Sequence, residues 1–267
     1  MRNEVYQNDI QYWMDELRDT EFHEFLPRKS GNVSHLSCDW ENIDIPFPDH
    51  LTNRLNQVTK NDETLFALCM SAISLLSYKY TGCTDVVIGI PKITQGHLEV
   101  HSLLPARVNV DCDLTFKEYL RMLNEVLSRA YQHQDFPYGQ LMDKLYELQR
   151  GFHSSLFDIA VQFDSLHGMG FGDAHRDLIT FRFVKLNTGL VLSIHYCVHQ
   201  YDVEKLKSVS KHFFECLNNA LSQPNLNLAC IEILPESEKR QVLVEFNDTG
   251  KEYEKDKTIH ELFEEQV

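Results

Sequence analysis

Between Asp85 and Pro91 the chain runs Val86-Val87-Ile88-Gly89-Ile90, with no polar side chain to turn toward water. A short, largely β-branched run of this kind reads as a strand covered on both faces, and so as part of an α/β layer with helices packed over a sheet. The segment before it supplies one such helix. From Asp62 to Tyr80, apolar residues recur at Leu65, Phe66, Cys69, Ala72, Ile73 and Leu76. That period is helical, and few polar residues interrupt it, so the helix is expected to be nearly buried. Thr81-Gly82 ends it, because glycine readily takes the left-handed conformation that closes a helix.

The remainder of the chain extends the same pattern. Ile10, Trp13, Met14 and Leu17 predict a short amphipathic helix over Asp9–Arg18, and Asn32–Asp49 reads as loop and extended chain. Thr115-Phe116-Lys117-Glu118 is a capping box, opening a helix whose buried face carries Phe116, Leu120, Leu123, Leu127 and Ala130. Pro137 closes that pattern, and a second short helix follows with Leu141, Leu145 and Leu148 on one face. Three strands are expected over Leu156–Phe163, Leu178–Lys185 and Leu190–Cys197. In the first, Phe157, Ile159, Val161 and Phe163 lie on one side, with Asp158 and Gln162 on the other. The glycine-bearing stretch Asp164–Asp177 reads as a loop. Asp202 caps a last long helix burying Leu206, Val209, Phe213, Leu217 and Leu221, which Pro224 ends.

Charge narrows the partners. With 40 acidic against 25 basic residues the net charge is −15, which repels polyphosphate backbones and anionic membranes; neither nucleic acid nor membrane is an expected partner. No apolar run approaches the roughly 18 residues a membrane span needs, and Met1-Arg2-Asn3-Glu4 leads into polar sequence, so a cytoplasmic location is expected. Cys38, Cys69, Cys83, Cys112, Cys197, Cys216 and Cys230 are scattered without a CxxC pair. They are expected to be reduced and structural, with no metal role.

Several short segments resemble known motifs, and they occur in a known order. Tyr78–Pro91 (YKYTGCTDVVIGIP), His133–Leu145 (HQDFPYGQLMDKL), Arg150–Phe163 (RGFHSSLFDIAVQF) and Ile233–Thr249 (ILPESEKRQVLVEFNDT) resemble successive motifs of nonribosomal peptide synthetase condensation domains. The stretch from Thr258 (TIHELFEEQV) resembles the opening of an adenylation domain. The resemblance implies a fold like that of chloramphenicol acetyltransferase, with two lobes meeting in a V. A carrier-tethered thioester would enter the tunnel between them from one side and an acceptor amine from the other. The amine would attack the thioester carbonyl to form a peptide bond.

The family signature HHxxxDG, whose second histidine sits beside the attacking nitrogen, is absent; no His-His pair occurs among the 13 histidines. Tyr12-Trp13 resembles a pattern that follows this signature in the family. The expected organisation is therefore a C-terminal lobe over 1–222, its N-terminal lobe missing, with a linker and the start of an adenylation domain over 223–267. No cofactor is expected to bind directly, since substrates would ride on the phosphopantetheine of partner carrier domains. The expected partners are carrier domains, an adenylation domain and the absent lobe. Two departures stand out: only Leu104-Pro105-Ala106-Arg107-Val108 survives of the pattern expected after Pro91, and Ser155 replaces a proline.

Seven residues are candidates for the tunnel or its motifs: Arg107, His133, Gln134, Asp135, Pro137, Phe157 and Asp158. His133 is either a general base with a carboxylate partner or, with Gln134, a cap on freed helix carbonyls. Arg107 either orients an anionic group or clamps Asp85 or Asp111. Asp158 is expected to pair with Arg182 on a neighbouring strand. His195 and His199, four apart, invite a metal reading, but a strand spaces them too far apart to chelate unaided. Two rival functions remain: a docking module without catalysis, and a standalone acyltransferase using His133 or His195.

Overall fold

The computed structural model describes residues 2–20, 23–29, 39–93, 103–148, 156–168, 178–248, 250 and 259–264. Cys38, Ser155, Gly170, Gly172, the start of the Arg150–Phe163 motif and the first part of the loop read from Asn32 lie outside them. The elements run α1 (Arg2–Glu16), β1 (Trp40–Pro46), α2 (Asp49–Val58), α3 (Asp62–Thr81), β2 (Asp85–Pro91), β3 (Leu103–Asn109), α4 (Phe116–Gln132) and α5 (Tyr138–Leu148). Then follow β4 (Ile159–Phe163), α6 (Asp164–His167), β5 (Ile179–Leu186), β6 (Gly189–Cys197) and α7 (Val203–Ser222).

These strands form one mixed sheet in the order β1-β6-β5-β4-β2-β3. β4 lies parallel to both β5 and β2, and the other neighbours are antiparallel. β4 is buried along its whole length, so Asp158 and Gln162 do not face water as an alternating strand would place them. Both are buried, because this strand sits inside the sheet rather than at its rim.

The expected α3 is present and buried from Leu65 to Ser77, with the Asn61 side chain accepting from Thr64 N–H at its start and Gly82 left-handed (φ 75°) at its end. α3 packs against α4, α7 and β2. α4 opens on the capping box read from the sequence, Thr115 and Glu118 each satisfying the other's backbone N–H. Phe181 and Phe183 of β5 carry the sheet's aromatic face. They meet Phe25, Phe47 and Phe213, with ring centroids 5.5–6.1 Å apart, an arrangement that adds to area burial.

Gly89 is a close-approach residue rather than a turn. A Cβ there would lie 2.6 Å from the Phe157 ring and 2.8 Å from Leu103 Cδ1. The bare backbone lets the Phe157 ring lie against β2 beside the parallel Gly89–Ala160 pairing.

Among the elements of the first part of the chain, α2, β1 within the stretch read as extended, and β3 were not legible as such. The stretch read as a loop from Asp164 opens instead with the single helical turn α6 (Asp164–His167), capped by the His167 side chain folding back onto Phe163 N–H. Cys197 is disulfide-bonded, which corrects the expectation of uniformly reduced thiols. Cys69, Cys83, Cys112, Cys216 and Cys230 are free.

The chain divides after Ile233 into two units. Leu228 and Ile231 are buried in the core of the first, so that unit continues past the boundary expected at 222. The second unit, from Leu234, holds α8 (Glu236–Arg240), a π turn over Gln241–Glu245 and α9 (Ile259–Glu264). Val242, Leu243, Val244, Phe246 and Phe263 of this unit are exposed.

Candidate functional site

Four strands bring a polar row into register. Asp44 of β1 pairs with Ser193 of β6, Ser193 with Arg182 of β5, and Arg182 with Gln162 of β4. These positions alternate with Phe181, Phe183, Leu192 and Ile194 along their strands, so the row occupies the face opposite the aromatic core. Ser193 Oγ donates to Asp44 Oδ1 at 2.5 Å and lies 3.3 Å from His195 Nε2. Arg182 grips Asp164 with both arms, Nε to Oδ1 at 2.7 Å and Nη2 to Oδ2 at 2.6 Å. Gln162 Nε2 donates to the Gly168 carbonyl at 2.9 Å, while its Oε1 is buried without a partner among the described residues.

The electrostatics of the row follow from these contacts. The Ser193 hydroxyl holds Asp44 below the usual carboxylate range. Burial, helped by the Arg182 charge, pushes His195 down, favouring the neutral imidazole. The hydrogen bond from Arg182 to Asp164 raises the guanidinium further. With Asp44 and Asp164 ionised against the single charge of Arg182 and a neutral His195, the row carries about one net negative charge. Its hydroxyl and guanidinium donors are engaged with its own carboxylates.

The expected Asp158–Arg182 pair does not form. Arg182 stands opposite Gln162, four residues along the strand from Asp158 and roughly 13 Å away at ordinary strand rise. The nearer carboxylate, Asp164, takes it. Asp158 Oδ2 instead accepts from Phe25 N–H at 2.5 Å. Burial pushes its pKa up to about 6, against the lowering effect of the Phe25 hydrogen bond. Asp158 and Phe157 border a cavity of about 20 Å³ together with Asp85 and His23, room for one water.

Arg107 is a clamp, on Asp85 rather than Asp111. Nε and Nη2 each meet a carboxylate oxygen of Asp85 at 2.8 Å, and Nη1 donates to the carbonyls of Glu16 and Arg18 at 2.7 and 3.0 Å. A guanidinium there satisfies carbonyls freed at the end of α1 and complements its dipole. α1 is also tied at its middle. His133 Nδ1 lies 2.9 Å from Asp9 Oδ1, Trp13 Nε1 donates to the His133 carbonyl at 2.8 Å, and the Tyr12 ring stacks on the imidazole at 4.0 Å.

This arrangement bears on both readings of His133. The carboxylate beside it is Asp9, and the candidate Asp135 is exposed. The carbonyl at the helix end is capped by Trp13, not by the side chains of His133 and Gln134. Gln134 Oε1 accepts from Ile93 N–H at 3.0 Å. Pro137 opens α5, its carbonyl accepting from Gln140 and Leu141.

The candidates thus gather at two places. Phe157 and Asp158 border a cavity with the Asp85 that Arg107 holds, and His133 and Gln134 lie at the end of α4. His199 sits in the turn after β6, 3.4 Å from Asp39, and not on the strand with His195. Among the described residues no group of three or more His, Cys, Asp or Glu side chains is placed to hold a metal ion. Asp44 and Ser193 were missed; the alternation of Ser193 and His195 with apolar neighbours was the signal for the second.

This sheet and its helices define a protein of the chloramphenicol acetyltransferase-like fold. The chain superposes on the starter condensation domain of rhizomide synthetase with a TM-score of 0.70 and 16% identity, covering 87% of this chain and 56% of that one. It superposes on a four-domain nonribosomal peptide synthetase bound to AMP and glycine with a TM-score of 0.72 and 16% identity, over 86% of this chain and 20% of that one. In sequence it is 26% identical over 290 residues to gramicidin S synthase 2 of Brevibacillus brevis and 28% identical over 247 residues to tyrocidine synthase 2 of Brevibacillus parabrevis. Those alignments take in 100% and 84% of this chain but only 6% and 7% of the synthases.

The model of the condensation domain family matches residues 1–243, and the chain belongs to that family.

Proposed function

We propose that this chain forms the C-terminal lobe of a peptide-forming condensation domain, contributing one wall of the channel in which an amine meets a carrier-bound thioester. In that reaction the amine nitrogen attacks the thioester carbonyl carbon, the C–S bond breaks, and the carrier thiol leaves as the nitrogen loses a proton. The base that handles this proton lies in polypeptide outside these 267 residues. The observation that carries the reading is the family match over residues 1–243 in a sequence with no His-His pair. The polar row on β1, β6, β5 and β4 supports it, as a polar face of the sheet opposite the aromatic core.

Carrier domains, an upstream lobe and an adenylation domain are the partners this reading requires. A cytoplasmic setting goes with them, and among the described residues no helix is long and apolar enough to cross a membrane. The disulfide at Cys197 is the feature that runs against a reducing compartment.

The test is reconstitution. The chain would be mixed with, or fused behind, a condensation-domain N-terminal lobe bearing HHxxxDG, and dipeptide formation followed between two loaded carriers. Product is expected only when both lobes are present. Acyl transfer by this chain alone, lost in His133→Ala or His195→Ala, would instead establish the standalone enzyme.

A further inference from the structure

Among the described residues, three free cysteines are partly or fully exposed, Cys83, Cys112 and Cys230, while Cys69 and Cys216 are buried. Two of the three come from segments that run side by side. Thr115 bridges Asn227 in antiparallel register, Phe116 N–H donates to the Leu226 carbonyl at 3.1 Å, and Leu228 N–H donates to the Leu114 carbonyl at 2.9 Å. Continued in that register, Cys112 stands opposite Cys230. The last contact departs from it by one residue, because the 3₁₀ turn Leu228–Cys230 tightens the chain. The Cys112 carbonyl therefore accepts from Ala229 N–H, at 3.4 Å, with Cys230 next along.

The end of α3 locates the same two segments independently. The Tyr78 hydroxyl lies within hydrogen-bond reach of the Cys112 thiol, and Lys79 Nζ, one residue on, donates to the Ala229 carbonyl at 2.7 Å. Cys83 is set apart from both. It borders the small cavity with Asp85, Val87 and Asp158. The β2–β3 register, continued past Asp85, puts it opposite Asp111, so alternation turns its side chain away from that of Cys112. A hydrogen-bonded antiparallel pair keeps its Cα atoms about 5.5 Å apart, and a disulfide spans roughly 4.4–6.8 Å between Cα atoms.

The position of the pair gives such a bond a consequence. Cys112 belongs to the turn between β3 and α4, and Cys230 precedes the buried Ile231, close to the end of the first unit at Ile233. We propose that Cys112 and Cys230 are a redox-sensitive pair, joined by a small-molecule disulfide oxidant into a reversible lock on the end of that unit. The thiolate of the exposed Cys230 attacks a sulfur of the oxidant, oxidised glutathione for example, and one glutathione thiolate leaves. The Cys112 thiolate then attacks the Cys230 sulfur of the mixed disulfide and expels the second. Two protein S–H bonds are lost and one S–S bond forms, while the two electrons and two protons leave on two glutathione thiols. A dithiol reverses the reaction.

The test needs no catalysis. The full chain is treated with oxidised glutathione without denaturant, digested without reduction, and read by mass spectrometry. A peptide pair joining Cys112 to Cys230, with no glutathione on either, is expected. Cys112→Ser and Cys230→Ser should each leave a glutathione held on the partner thiol, and Cys83→Ser should leave the cross-link in place. Amide hydrogen exchange over residues 228–233 should slow several-fold in the oxidised chain and recover with dithiothreitol, because the cross-link removes open states. Cys197, buried and already bonded, is the same in every arm. Glutathione on both thiols with no cross-link, a cross-link through Cys83, or exchange over 228–233 unaltered by oxidation each overturns the proposal.

Discussion

Asp158 carries a burial cost that pH can switch. Only 4% of its surface is exposed, and its pKa stands at about 6 against 3.8 for the ordinary group. Folding therefore favours the protonated acid. Because the folded pKa lies above the unfolded one, the stabilising contribution is complete below pH 3.8 and lost as pH rises through 6. Two units at about 1.4 kcal/mol each make the loss roughly 3 kcal/mol. His167 works in the opposite sense. Its folded pKa of about 4 lies below the ordinary 6.5, so its contribution is complete above 6.5 and lost as pH falls toward 4. The two slopes nearly cancel in the parent protein, and a pH–stability curve of the parent alone would show neither.

Asp158→Asn separates them, because the amide imitates the neutral acid and does not titrate. Urea unfolding would be followed from pH 4.5 to 7.5 by tryptophan fluorescence, Trp13 and Trp40 both belonging to the unit that ends at Ile233. Stability of the parent minus that of Asp158→Asn is expected to fall by about 2 kcal/mol across this range, the rest of the loss lying below pH 4.5. The new amide protons add an offset that does not vary with pH, so the slope is the measurement. A difference flat to within about 0.5 kcal/mol, or one rising with pH, would falsify the assignment of this cost to Asp158.

Other perturbations test the clamp and the close approach. Arg107→Ala removes the two-armed bond to Asp85 and two carbonyl caps on α1, and is expected to cost about 2–3 kcal/mol by chemical denaturation. Arg107→Lys should recover less than half of that, since an ammonium cannot match the fork; full recovery would mean charge alone matters. Gly89→Ala drives a methyl to 2.6 Å from the Phe157 ring, at an expected cost of about 1–3 kcal/mol. Adding Phe157→Leu should return part of that loss, and strictly additive losses would place the strain elsewhere.

How far the sequence could be read depended on how local each signal was. α3 and α4 were legible because their periodicity and caps are written within one segment. α2 is ten residues long and announces itself only by Leu51 and Leu55 behind Pro48, too little to stand out from the extended reading around it. β1 carries Glu41, Asn42 and Asp44, and β3 contains Pro105, residues that usually argue against a strand. Edge positions in the sheet tolerate both. Arg107 left Asp85 and Asp111 as alternatives, and the β2–β3 pairing, which decides for Asp85, was not legible because β3 itself was not. Asp9 was not foreseeable for His133, 124 residues away. Nor was Asp164 chosen for Arg182, because strand register, which decides between Asp158 and Asp164, is not written in either strand alone.

The polar row bears on whether this face is built for stability or for something else. Ser193, Thr180 and Gln162 are all buried, and buried polar groups are tolerable only when hydrogen-bonded. Gln162 is served at Nε2 but not, among the described residues, at Oε1, an unmet acceptor that costs about 1–3 kcal/mol. A sheet face selected for stability alone would carry an apolar residue here. Gln162→Met removes the orphaned acceptor and gives up two bonds, one to the carbonyl of Gly168, an exposed residue that water can serve, and a long one of 3.4 Å to Asp164 Oδ1, which Arg182 also holds. The expected result is a protein as stable as the parent or up to about 1 kcal/mol more stable. In reconstituted lobes the same change should slow dipeptide formation, because the channel wall loses a polar group. Destabilisation beyond about 2 kcal/mol, with turnover kept in proportion to folded protein, would make Gln162 a structural residue and remove the row's support for a channel wall.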